Sequence, residues 1–96
     1  MNTPLRKINR DEAENIAVSA FGFIAGEEER MGRFLAVSGL RPETIRSAAS
    51  DPGFFAGILD YVVSDEPLLL ALAQALNTKP EHIMAAHWTL SPSEFE

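Results

Sequence analysis

Apolar residues recur along this chain at three- and four-residue steps, interrupted by glycine, proline and short polar side chains, and the pattern predicts about six short helices. In the first, Ala13, Ile16, Ala17, Ala20, Phe21 and Ile24 share one stripe. Asn9 is placed to cap its free amides, with Glu12 reaching back three residues later. Gly26 breaks the run, and Glu27, Glu28 and Glu29 open a second helix at the positive end of its dipole, with Glu29 four residues before Arg33 for a surface pair. Met31, Phe34, Leu35 and Ser38 form its inward side. Gly39 is the expected left-handed stop, and Pro42 starts a short third helix whose apolar side is Ile45, Ala48 and Ala49.

Asp51 and Pro52 open a fourth helix with the broadest apolar face of the chain: Phe54, Phe55, Ile58, Leu59, Val62 and Val63. Its breadth predicts a central position. Ser64 or Asp65 caps a fifth helix, in which Gln74 is the one polar residue between Leu68 and Leu76. Asn77 ends it, and Pro80 begins a sixth that runs through Ile83, Met84 and His87 to Trp88. The expected architecture is an all-α, compact, irregular bundle. Residues 1–96 make one helical domain, with a leader at 1–8 and a tail at 89–96 expected to be flexible.

The two halves echo one another. Gly39, Arg41, Pro42, Glu43 and Ile45 return as Asn77, Lys79, Pro80, Glu81 and Ile83, at an offset of 38 residues. At the same offset Ile16 meets Phe54, Ala20 meets Ile58 and Phe34 meets Leu72. Amphipathic helices align by period alone, but the shared stop, base, proline, acid and isoleucine go further, and they predict two pseudo-symmetric three-helix halves.

Composition narrows the function. Forty-six per cent apolar residues and 23% charged ones describe a folded domain. No cysteine is present, which removes disulfides, thiolate metal sites and a cysteine nucleophile, and fits a cytoplasmic setting. The net charge of -6 sits in the second half, where seven acids face Lys79 alone. Such a surface repels phosphate backbones and anionic headgroups, which argues against nucleic acid and membrane partners. The apolar run at 67–76 falls well short of the ~20 residues a bilayer span needs.

Candidate chemistry is sparse. His82 and His87, five residues apart, point roughly 140° apart on a helix and do not chelate together. Asp65 and Glu66 read as cap chemistry rather than as an acid–base pair. No phosphate loop, serine elbow or nucleophile set is visible, so no catalytic, cofactor or metal residue is assigned. Ala73, Asn77 and Ile83 keep the spacing of a helix-turn-helix, yet where a reading helix wants arginine, lysine, asparagine or glutamine helix six offers Lys79, Glu81, His82, Met84 and Ala85. Gly22, Gly32 and Gly57 each cost ~1 kcal/mol inside a helix relative to alanine. Close helix crossing is the first explanation, and a backbone-lined groove the alternative.

The segments Gly32-Arg33-Phe34-Leu35, Gly39-Leu40-Arg41-Pro42 and above all Asp60-Tyr61-Val62-Val63-Ser64-Asp65-Glu66-Pro67-Leu68-Leu69-Leu70 resemble a family of small alphaproteobacterial proteins of unknown function. The resemblance implies a bacterial, cytoplasmic source and carries no site residues with it.

The remaining guide is apolar surplus. Helix five is oily on more sides than a small domain can cover, which predicts a non-catalytic module for protein–protein association, with a partner protein or as a homo-oligomer. Phe54, Ile58, Leu69, Leu72 and Trp88 are the expected contact residues. A helix-turn-helix regulator is the second reading, marked by a basic stripe of Arg30, Arg33, Arg41 and Lys79. A small-ligand protein or enzyme is third, marked by a pocket at Gly22, Gly32 or Gly57 with convergent polar groups.

Overall fold

In the computed structural model, which describes residues 8–91, six helices follow one another: α1 (Arg10–Ala25), α2 (Glu28–Ser38), α3 (Pro42–Ala48), α4 (Pro52–Val63), α5 (Glu66–Ala75) and α6 (Pro80–Leu90). Their ends obey local chemistry. Asn9 Oδ1 accepts from the Glu12 amide at 2.7 Å, Asp51 Oδ1 from Gly53 at 2.9 Å and Asp65 Oδ1 from Leu68 at 3.3 Å, so three of the six N-termini satisfy an orphan donor with a side chain. Glu12 does not complete a capping box. Its carboxylate turns to His82 of α6, 3.7 Å away.

Helices α1, α4 and α6 pack on one another, and α5 closes on all three. Of the six largest fully buried side chains, three belong to α4 (Ile58, Leu59, Val62), one each to α1 (Ile24), α5 (Leu72) and α6 (Ile83). Each such burial is worth roughly 1.5–3 kcal/mol. The central place expected for α4 follows from this distribution. On α1 the buried stripe is mostly alanine: Ala13, Ala17 and Ala20 have no accessible surface.

The two ends of the described chain meet. Ile8 is buried, and its carbonyl accepts a 3.3 Å bond from the Thr89 hydroxyl, which also donates to Ala85 O at 2.9 Å in its own helix. Leu90 is buried as well. Ile8, Thr89 and Leu90 therefore belong to the packed domain and not to a leader or tail. The rest of those two segments, 1–7 and 92–96, lies outside the described residues.

The echo between the halves is real along the backbone and fails in the packing. Gly39 and Asn77 both take left-handed conformations, with φ of 76° and 56°. Arg41 and Lys79 are both extended residues before a first-turn proline. After that the copies part. α6 buries Ile83, Ala85, Ala86 and Leu90, whereas α3, four residues shorter, buries nothing and reaches the core only through half-buried Ile45. Two equivalent three-helix units are not formed, because α3 does not take the place on the core that α6 takes.

Two local expectations also change. Ser38 is exposed, since Phe34 and Leu35 complete the inner side of α2. Arg33 turns to Asp65 at 3.9 Å instead of Glu29. Gly22, Gly32 and Gly57 mark no close crossing: a Cβ built on any of them meets no atom within 4 Å.

Two stability measurements follow. Gly32→Ala, adding a methyl into open space on an exposed helix, is expected to raise the urea unfolding free energy by about 0.5–1 kcal/mol. Ala20→Leu, forcing bulk into a fully closed position, is expected to lower it by about 1–3 kcal/mol or more.

Candidate functional site

The departure of α3 from the core leaves an open groove of about 490 Å³ between α2, α3 and α4. Its apolar wall is Phe34, Val37 and Leu40 on one side and Phe54, Gly57 and Tyr61 on the other. Edge-to-face rings hold the wall in shape. Phe21 of α1 meets Phe34 at 6.1 Å and Phe54 at 5.7 Å, and Phe34 meets Tyr61 at 5.1 Å, all at interplanar angles near those favoured by aromatic quadrupoles. Gly57 keeps the floor open, because any side chain there would project into the free space.

Polar atoms line the rim, and four of its side chains are engaged by their own neighbourhood. Asp51 caps α4, Ser64 Oγ donates to Tyr61 O at 3.0 Å, and Ser38 Oγ accepts from the Leu40 amide at 3.2 Å. Asp60 faces His87 of α6, Oδ1 to Nε2 at 3.3 Å, and Ser91 Oγ lies 3.3 Å from the same nitrogen. The rim thus presents no set of side chains converging on a common point in the groove.

His87 leads from the groove to the outer face of α6. There Trp88 is 77% exposed and Met84, one turn earlier, 47%. The other exposed large apolar residues among those described, Val18, Val37 and Leu70, stand one to a helix. A tryptophan so bare is the least ordinary feature of the surface, since its ring usually covers a core or fills a partner's pocket.

The five expected contact residues are therefore scattered. Trp88 lies on the surface and Phe54 in the groove wall, half-buried. Ile58, Leu69 and Leu72 are 1%, 7% and 0% exposed and serve the chain's own core. The surplus attributed to α5 is small once α4 and α6 pack on it: Leu70 is its one exposed large apolar side chain. Gly57 lines the groove as one of the three glycines singled out for it, whereas Met84, Val37 and Tyr61 were missed. Met84 was legible, being four residues from Trp88 and on the side of α6 away from Ile83, Ala86 and Leu90.

The remaining candidates separate in space. His82 and His87 face different helices, α1 and α4. No group of three or more potential metal ligands gathers among the described residues. Arg30 lies 3.0 Å from Glu27 and 4.0 Å above the Phe23 ring, Arg33 pairs with Asp65, and Arg41 stands 3.6 Å from Glu43. Ala73 and Ile83 are buried on either side of the left-handed turn at Asn77. Among the described residues no helix is long and apolar enough to cross a membrane.

No curated protein and no solved structure matches the chain. One family model does, over residues 10–93, from the first residue of α1 to just past α6. That match spans all six helices, the groove and the Trp88 face included, and the chain belongs to the family described as a protein of unknown function (DUF3572).

Proposed function

We propose that this chain is a non-catalytic module for protein–protein association, working in the bacterial cytoplasm. The exposure of Trp88 carries the reading. An indole and the thioether of Met84 side by side in water leave apolar area whose burial is worth on the order of a few kcal/mol, before the cost of ordering a complex. The groove adds apolar area on an adjoining surface. Engaged rim groups and the separation of the histidines weigh against an enzyme or a metal site.

A DNA-binding regulator is the second reading, favoured by the α5–turn–α6 corner. Against it stand the carboxylates beside Arg30, Arg33 and Arg41, which offset the positive charge a phosphate would meet. Salt separates the two. Association through apolar surface by a chain of charge -6 is expected to hold or strengthen between low and physiological ionic strength, where repulsion between like-charged partners is screened. DNA retention would weaken steeply over the same range.

Photo-crosslinking tests the reading directly. A benzophenone amino acid in place of Met84, irradiated in cells making the full chain, is expected to give a discrete protein adduct. The same group in place of Asn15, exposed on α1, is expected not to give that band. Absence of any adduct from position 84, or the same band from both positions, removes the proposal.

A further inference from the structure

Burial is spread unevenly along the chain. Among the described residues Phe34 is the only buried side chain between Gly26 and Ser50, and Met31, Leu35, Leu40 and Ile45 add half-buried contacts. The other four helices, α1, α4, α5 and α6, each pack on the remaining three, so they close a core by themselves. Of the two helices inserted between α1 and α4, α2 lies close along α1 alone and α3 along no helix.

Space flanks the Phe34 contact. The groove adjoins α2 from Phe34 onward. Before Phe34, a second hollow of about 300 Å³, lined by Arg30 and Arg33 of α2 and by Tyr61, Leu68 and Ala71, parts α2 from α4 and α5. Side chains that face a void forgo dispersion contacts there. Across this hollow the one ion pair among the described residues joins Arg33 to Asp65 at 3.9 Å, with the arginine side chain 72% exposed, and a pair so open to water adds little. Arg30 donates to the Phe23 carbonyl at 3.3 Å, which ties only the start of α2 to the end of α1. What holds α2 inward is therefore mainly the Phe34 ring, edge-on to Phe21 and Tyr61.

Once that ring is withdrawn, the segment cannot stay helical alone. α2 has 11 residues and α3 has 7, short of the ~12–15 at which a lone helix is even marginal in water. α2 also has no side-chain cap at its start and carries Gly32 within it. Both borders are secured from outside the segment. The Gly26 amide closes α1 on the Gly22 carbonyl, and Asp51 caps α4 through Gly53, so melting between them leaves the neighbouring helix ends intact.

We infer that residues 27–50 form a lid that opens and melts as one unit, hinged at Gly26 and Ser50, while α1, α4, α5 and α6 stay folded. Opening bares the rings of Phe21 and Tyr61. The apolar surface that the molecule shows is then set by a local equilibrium and not by global unfolding. The lid requires no partner, and its test is independent of the association reading.

Hydrogen exchange of the full chain, resolved by residue, reads this equilibrium directly. Amides of 28–48 are expected to exchange at least about tenfold faster than the slowest amides of α1, α4 and α6, with a weaker dependence on urea because less surface is exposed. Ile83→Val trims a core side chain that stays buried whether the lid is open or shut. It should quicken the slowest core amides severalfold and leave 28–48 unchanged. Phe34→Leu should quicken 28–48 itself. Thermolysin, which cuts beside apolar residues and so finds sites in every helix, supplies a second measurement: its first cuts between Arg10 and Leu90 should fall within 28–48. Equal protection of 28–48 and the core overturns the inference. So does an Ile83→Val variant that quickens all six helices alike, or first cuts placed in α1, α4, α5 or α6.

Discussion

The packing of α1 against α4 and α6 is the constraint from which the rest of the structure follows. Three short helices can surround a common centre only if some of them present little bulk, and α1 does so with Ala13, Ala17 and Ala20. That leaves room for α4 to bring Ile58, Leu59 and Val62 into the middle. α5 and α6 then cover what remains, through Leu72 and Ile83. α2 and α3 have no such place. α2 is held by the aromatic contacts of its Phe34 with Phe21 and Tyr61, α3 meets the core through Ile45, and the groove is the gap between them and α4.

Most of the fold was legible because it rests on local rules. Caps at Asn9, Asp51 and Asp65, prolines at 42, 52, 67 and 80 and the left-handed stops at Gly39 and Asn77 each act within a few residues, and periodicity assigns the inner face of each helix. Tertiary choice was not legible. Nothing local distinguishes α3 from α6, which share a stop, a base and a proline, yet one lies at the edge and the other in the core. Length differs: Ala48 of α3 matches Ala86 of α6, but α3 stops there while α6 runs one turn further to bury Leu90.

The same limit governed the site. Oiliness alone marked Ile58, Leu69 and Leu72 as contact residues, and oiliness is equally what a core requires. Trp88 was separable from them only through its angle on α6, since it stands with Met84 and Glu81 rather than with Ile83 and Leu90. The glycines show the complementary case. Gly57 was conspicuous in a helix, but whether it admits a neighbouring helix or opens a cavity depends on elements distant in the chain. The structure gives open space there and an aromatic wall on either side.

The bond between Ile8 and Thr89 carries a consequence for how the molecule comes into being. Its partners are 81 residues apart, and the helix that shelters the alanine stripe of α1 is the last of the six to be made. During synthesis the side of α1 that meets α6 must wait uncovered while four other helices emerge. Closure is therefore a late, long-range step, of the kind that slows folding relative to a bundle whose neighbours in sequence are neighbours in space. A nascent chain halted before α6 would leave α1 and α4 without the helix that packs on both, an unclosed state open to chaperones and proteases rather than a smaller version of the same protein.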